Sequence, residues 1–171
     1  RGVSFVNSHS LFPTFTTANA SAFATGHALG DTGDFSNTIA TGFPVAAAAG
    51  SVTPFLESDP VLAELGSHFS GSYLDEESIL ATARADGYLT AAVGKLGPVA
   101  IQDLTAMDGG STLIVDDTTG HVGGVPLAPL WADALKAAGI ADAAPGRGAN
   151  GDAGDNKRPG TKVANVEQQR Y

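Results

Sequence analysis

The chain has 171 residues, 43% of them hydrophobic, which suits one domain large enough to bury a real core. Its 18 acidic against 9 basic residues give a net charge of −9, which argues against a general nucleic-acid binder, since that needs a basic patch. The lack of cysteine excludes disulfides and a cysteine-derived nucleophile, and no apolar run approaches the roughly 20 residues of a membrane span.

In chain order, Gly2-Val3-Ser4-Phe5-Val6-Asn7 alternates apolar and polar side chains and predicts a short strand. From Phe12 to Gly26 the residues predict an extended segment running straight into a helix. Pro13 fixes its own φ and biases Phe12 toward extended backbone. Thr16 or Thr17 is the N-cap candidate, the alanines at 18, 20, 22 and 24 favour helix, and Gly26 supplies a left-handed stop. A helix start gathers unpaired N–H groups and partial positive charge, so it holds a phosphate readily. A threonine hydroxyl placed there faces the phosphorus, with Asn19 one turn later able to donate to a non-bridging oxygen. That geometry suits a nucleophile.

Residues 26–53 predict a long glycine-rich loop, a length that in compact domains is usually functional or poorly ordered. Residues 54–57 and 60–65 predict one or two short helices. The clearest helix outside the first is Asp75 to Arg84, with Asp75 as cap, acids in the first turn and Gly87 just past the end. It feeds a strand at about 88–93, followed by a turn in which Gly94 and Gly97 flank Lys95. A second strand spans 111–116, and its end carries the carboxylate pair Asp116-Asp117, read as exposed to water. A helix over 127–138 is closed by Gly139. The alternation predicts an α/β fold, a parallel sheet flanked by helices, as a single domain over 1–171. Residues 141–162 predict an irregular polar loop, and 163–171 the opening of another helix. The four histidines, His9, His27, His68 and His121, fall into no metal-binding spacing.

Two segments carry a family resemblance. Pro13-Thr14-Phe15-Thr16-Thr17-Ala18-Asn19, with Ala24-Thr25-Gly26 after it, resembles the P-T-x-T-x-x-N…T-G segment of the alkaline phosphatase superfamily. The nearest branch is the bacterial type I phosphodiesterase and nucleotide pyrophosphatase one. Gly87-Tyr88-Leu89-Thr90-Ala91-Ala92-Val93-Gly94-Lys95 is similar to the G-Y-x-T-A-x-x-G-K segment of sulfatases and related phosphodiesterases. The loop after the first segment departs from the eukaryotic-type pattern, carrying Thr32-Gly33 in place of a histidine-glycine pair.

The resemblance implies a metal-dependent phosphoric ester hydrolase in which Thr16 is the metal-activated nucleophile and contacts a bound metal. Asn19 and Lys95 would bind the substrate's phosphoryl oxygens. It also implies two divalent ions, zinc in most relatives, held by Asp and His ligands from before and after these residues. The sequence then covers a partial alkaline-phosphatase-like domain, a fragment inactive alone, and export to the periplasm or outside the cell. Its expected partners are a phosphate ester substrate and the remainder of the enzyme, or a second copy through an open sheet edge. The alternative class is a non-catalytic binding or structural domain that keeps the fold.

Overall fold

A computed structural model describes residues 2–145, and it is mixed α/β. Two strands, β1 (Thr90–Val93) and β2 (Thr112–Val115), pair in parallel, with Thr90 opposite Thr112 and Val93 opposite Val115. Parallel neighbours need a crossover rather than a hairpin. Residues 94–111 supply it, and they contain the 3-10 segment Ala100–Ala106, whose helical path breaks at Asp103.

Around this pair lie α1 (Thr16–Thr25), α2 (Leu29–Thr32), α3 (Asp59–His68), α4 (Ile79–Ala85) and α5 (Pro129–Ala137). The segment 100–106 is the hub, since α1, α3, α4 and both strands touch it. Its Ile101 and Leu104 meet Leu56, Val61, Leu62 and Leu65 in the main core. A smaller core joins Ala92 and Ile114 of the sheet to Val99, Ala106 and Val125. Small residues make α1's approach possible: its buried face is Thr17, Ala18, Ser21, Ala24 and Thr25. The hydroxyls of Ser21 and Thr25 donate to their own helix, to the carbonyls of Ala18 and Ser21, and so enter the core satisfied.

β1 alternates buried and exposed, so Ala91 and Val93 are left on an open face. Phe23, Ile79, Leu80, Ala91, Val93 and Pro98 line an apolar cleft of about 620 Å³ there. Among the described residues no helix is long and apolar enough to cross a membrane.

Several expectations are corrected. Residues 2–7 form no strand; Val3, Phe5 and Val6 lie exposed, because their alternation meets no neighbouring strand. The helix foreseen from Asp75 begins at Ile79, and its cap is Ser78, whose hydroxyl accepts from Ala81 N–H. Residues 54–57 are not helical; Phe55 bridges to Thr38 instead. The loop 26–53 contains α2 and a 3-10 turn at Ala46–Ala48, pinned where Glu64 accepts from the N–H groups of Ala46 and Ala47. The irregular loop expected at 141–162 is described only as far as 145, and the helix opening at 163–171 falls outside the described residues.

Candidate functional site

Helix α1 starts at Thr16, so the residue at its N-cap is Phe15, which offers no side-chain acceptor. Neither threonine caps the helix. Thr16, the first helical residue, is exposed, whereas Thr17 is buried. The capping acceptor comes from far along the chain: Asn37 Oδ1 takes the Thr17 N–H at 2.9 Å and faces the Thr17 hydroxyl at 3.1 Å. That hydroxyl also lies 2.8 Å from the Ser36 carbonyl. The glycine-rich loop is thereby fastened to the helix start. Removing a cap acceptor costs about 0.5–2 kcal/mol. Asn37→Ala is therefore expected to lower the stability measured by denaturant unfolding by that amount, and an unchanged midpoint would mean that α1 is capped otherwise. At the far end Gly26 takes φ 75° and returns its N–H to Ala22, the left-handed stop the sequence called for.

Asn19 sits one turn after Thr16, but its amide faces the chain before the helix. Its Oδ1 accepts from Leu11 N–H at 2.7 Å, and its Nδ2 lies within 3.3 Å of the carbonyls of Leu11, Pro13 and Phe15. The side chain is a clamp on residues 11–15, which positions Thr16 from behind.

Lys95 stands on the turn at the carboxyl end of β1, the end at which open α/β sheets bind ligands. Its ammonium is paired with Glu57. Gly97 allows that approach: its φ is +84°, and a Cβ there would stand 2.6 Å from Glu57 Cα. The next turn joins in, since Asp117 Oδ1 accepts the Leu96 N–H at 2.7 Å. Lys95 borders the apolar cleft beside Phe23 and Ala24, in the last turns of α1. Seven residues separate Phe23 from Thr16, about 10 Å along a helix axis. Among the described residues no hydrogen bond or ion pair joins Thr16, Asn19 and Lys95 to one another.

Sequence reasoning missed a buried acidic pair. Asp59, in the first turn of α3, is 1% exposed, and Asp116, just past β2, is 4% exposed rather than open to water. The hydroxyl of Thr118 lies 2.8 Å from Asp59 Oδ2 and 2.8 Å from Asp116 Oδ1. Burial first, then the charge of Asp116, pushes the Asp59 carboxyl from 3.8 up to about 7, against the Thr118 hydroxyl and the Val125 N–H, which lower it. Asp34 is buried too, and burial lifts it to about 6 against the donors Tyr73 and Ser36. In Asp59-Pro60 the Pro at the helix start was a visible signal, but it marked a helix and not a burial partner.

The two metal ions implied by the resemblance do not fit the described residues. Among these, no three His, Cys, Asp or Glu side chains gather where an ion could sit, and no side chain is hydrogen-bonded to the Thr16 hydroxyl. No family model matches the chain, nor does any curated protein or solved structure.

Proposed function

We propose that this chain is the nucleophile-bearing part of a phosphoric ester hydrolase, of the phosphodiesterase or nucleotide pyrophosphatase kind. The observation that supports the reading is Thr16, exposed at the first position of a ten-residue helix, within the P-T-x-T-x-x-N segment that resembles those enzymes. In this reading Thr16 Oγ1 forms a bond to phosphorus while the bond from phosphorus to the leaving oxygen breaks in line with it. That oxygen takes up a proton. Water then cleaves the phosphothreonine and returns a proton to Thr16. A threonine hydroxyl is a weak nucleophile until it is activated. The activating ions of the family would take their ligands from outside the described residues, with zinc the ion expected. The Thr17 N–H is already taken by Asn37, and Lys95 serves the ester only when it leaves Glu57. The reading is tested by ester hydrolysis before and after Thr16→Ala.

A second reading, a binding or structural domain without catalysis, draws on two contacts: Asn19 is engaged with the backbone of 11–15, and Lys95 with Glu57. An amide so engaged binds no phosphoryl oxygen. A Thr16→Ala protein that keeps all ligand binding and never had turnover would favour this reading.

In either reading we propose that the open sheet face is covered by further protein, a segment of the same enzyme or a second copy. Phe23 is 79% and Val93 73% exposed at the cleft, and Tyr88 and Leu89 lie exposed just before β1. An apolar face beside an unpaired strand edge favours association. Sedimentation of the isolated chain is expected to show dimers or larger species at micromolar concentration. A stable, cooperatively unfolding monomer would contradict this.

A further inference from the structure

Asp59 and Asp116 reach each other from opposite sides of a seam. Asp59 opens α3, while Asp116 and Thr118 belong to the turn that leaves β2. Thr118 N–H donates to Asp116 Oδ1 at 2.7 Å, and Val125 N–H donates to Asp59 Oδ2 at 3.3 Å. The remaining oxygens, Asp59 Oδ1 and Asp116 Oδ2, are buried without a partner among the described residues.

A hydroxyl carries one proton. The Thr118 oxygen stands at hydrogen-bond distance from two carboxyl groups, so it can donate to one of them only. The other contact is a hydrogen bond only if its carboxyl brings a proton of its own. Two buried carboxylates so close, each with an unpaired oxygen, cannot both stay ionised cheaply, and one retained proton removes the repulsion. The geometry therefore asks for one acid and one carboxylate.

We propose that Asp59, Asp116 and Thr118 form a latch closed by one shared proton, which holds the turns after β1 and β2 against the start of α3 and opens as that proton is lost. The contacts that follow the latch are already in place. Asp117, next to Asp116, holds Leu96 N–H, and Glu57, two residues before Asp59, holds Lys95. Opening the seam separates the segment bearing Glu57 from the turn bearing Lys95, and so frees the ammonium at the rim of the cleft. The charged groups on the adjoining turns are accounted for: Glu57 faces Lys95, Asp117 faces the Leu96 N–H, and His121 Nε2 lies 2.7 Å from the Ala144 carbonyl. Asp116 is the charge that bears on Asp59. The inference stands on these contacts and not on the hydrolase reading.

The sign follows from linkage. A carboxyl whose proton is held more tightly in the folded chain stabilises the fold most in acid, and that contribution is lost as pH rises through its folded value. Carbon-13 NMR of the aspartate carboxyls, combined with amide exchange, tests it. One carboxyl is expected to titrate near neutral pH, and that signal is absent in Asp59→Asn, whose amide keeps the shape of the protonated acid. Exchange at Leu96 and Val125 N–H is expected to quicken across the same transition and to stay slow at alkaline pH in Asp59→Asn. If Asp59→Asn does not fold, Thr118→Val serves: losing a donor to the charged form moves the titration upward. The latch is overturned if Asp59 titrates in the ordinary carboxylate range, or if Leu96 and Val125 exchange equally at acid and alkaline pH. It is overturned equally if added calcium, and not the proton, is what keeps the two turns closed.

Discussion

Thr16→Ala is expected to abolish ester hydrolysis by the protein that combines this chain with the source of its metal ligands. Loss of a covalent nucleophile costs on the order of 10⁶ in turnover where it has been measured. That is about 8 kcal/mol of transition-state stabilisation. The neighbouring Thr17 is not placed to substitute, because it is buried and its hydroxyl is engaged with Ser36 and Asn37. Thr16→Ser keeps the oxygen and is expected to keep measurable turnover. The purified 171-residue chain, supplied with zinc or manganese, is expected to show no rate above background on a nitrophenyl phosphate ester. A metal-dependent rate from that chain which disappears in Thr16→Ala would mean that its own carboxylates complete a site. A rate that survives Thr16→Ala would remove the nucleophile assignment altogether.

Asp103→Ala carries the largest expected loss of stability. Asp103 is fully buried at the break in the 100–106 segment, and four donor contacts converge on its carboxylate. Arg84 of α4 approaches through Nε and Nη2, both at 3.3 Å, Thr105 at 2.6 Å and Thr112 of β2 at 2.5 Å. Thr112 in turn lies 2.7 Å from the Thr90 hydroxyl across the sheet. One carboxylate therefore ties α4 and both strands to the hub. Its removal takes away the carboxylate they share, leaving Arg84 only the Thr105 hydroxyl and Thr112 only that of Thr90, a change that costs about 3–5 kcal/mol when a buried pair is broken. For a domain of this size each kcal/mol shifts the melting temperature by about 2–4 °C. A fall of roughly 6–20 °C is expected in a thermal melt, with a smaller fall for Asp103→Asn, which retains one acceptor oxygen. A melt within a degree or two of the parent protein would show that the network contributes little.

What the sequence made legible was local. Gly26 announced the end of α1, because a left-handed residue at a helix terminus favours glycine. The apolar runs Ala91-Ala92-Val93 and Leu113-Ile114-Val115 announced a parallel pair, and they are one. The segment before Thr16 announced a helix start, although the cap is Phe15 rather than a threonine and the chain bends at residues 12 and 13 instead of running extended. What stayed hidden depends on partners far along the chain. Asn37 caps a helix that begins 21 residues earlier, and no periodicity carries that pairing. Asp116 was read as a wetted strand end, yet it is buried against Asp59, which comes from α3 far earlier in the chain and which no local pattern announces. Residues 2–7 show the converse failure: their alternation fits a strand, and a strand needs a neighbour to form.

The same contrast applies to the candidate site. Thr16 owes its position to the local helix start, and the structure leaves it open. Asn19 turns inward onto the backbone of 11–15, much of it within its own motif, and Lys95 is held by Glu57, which its motif does not include. The central claim thus rests on Thr16 as nucleophile, and a trapped covalent intermediate tests it most directly. The protein with its metal ligands would be mixed with a phosphate diester, quenched in acid within the first turnovers, digested, and its peptides weighed by mass spectrometry. The account predicts one added phosphoryl group, on Thr16, absent from Thr16→Ala. Turnover with no phosphorylated Thr16, or a phosphoryl group found on another residue, would contradict it.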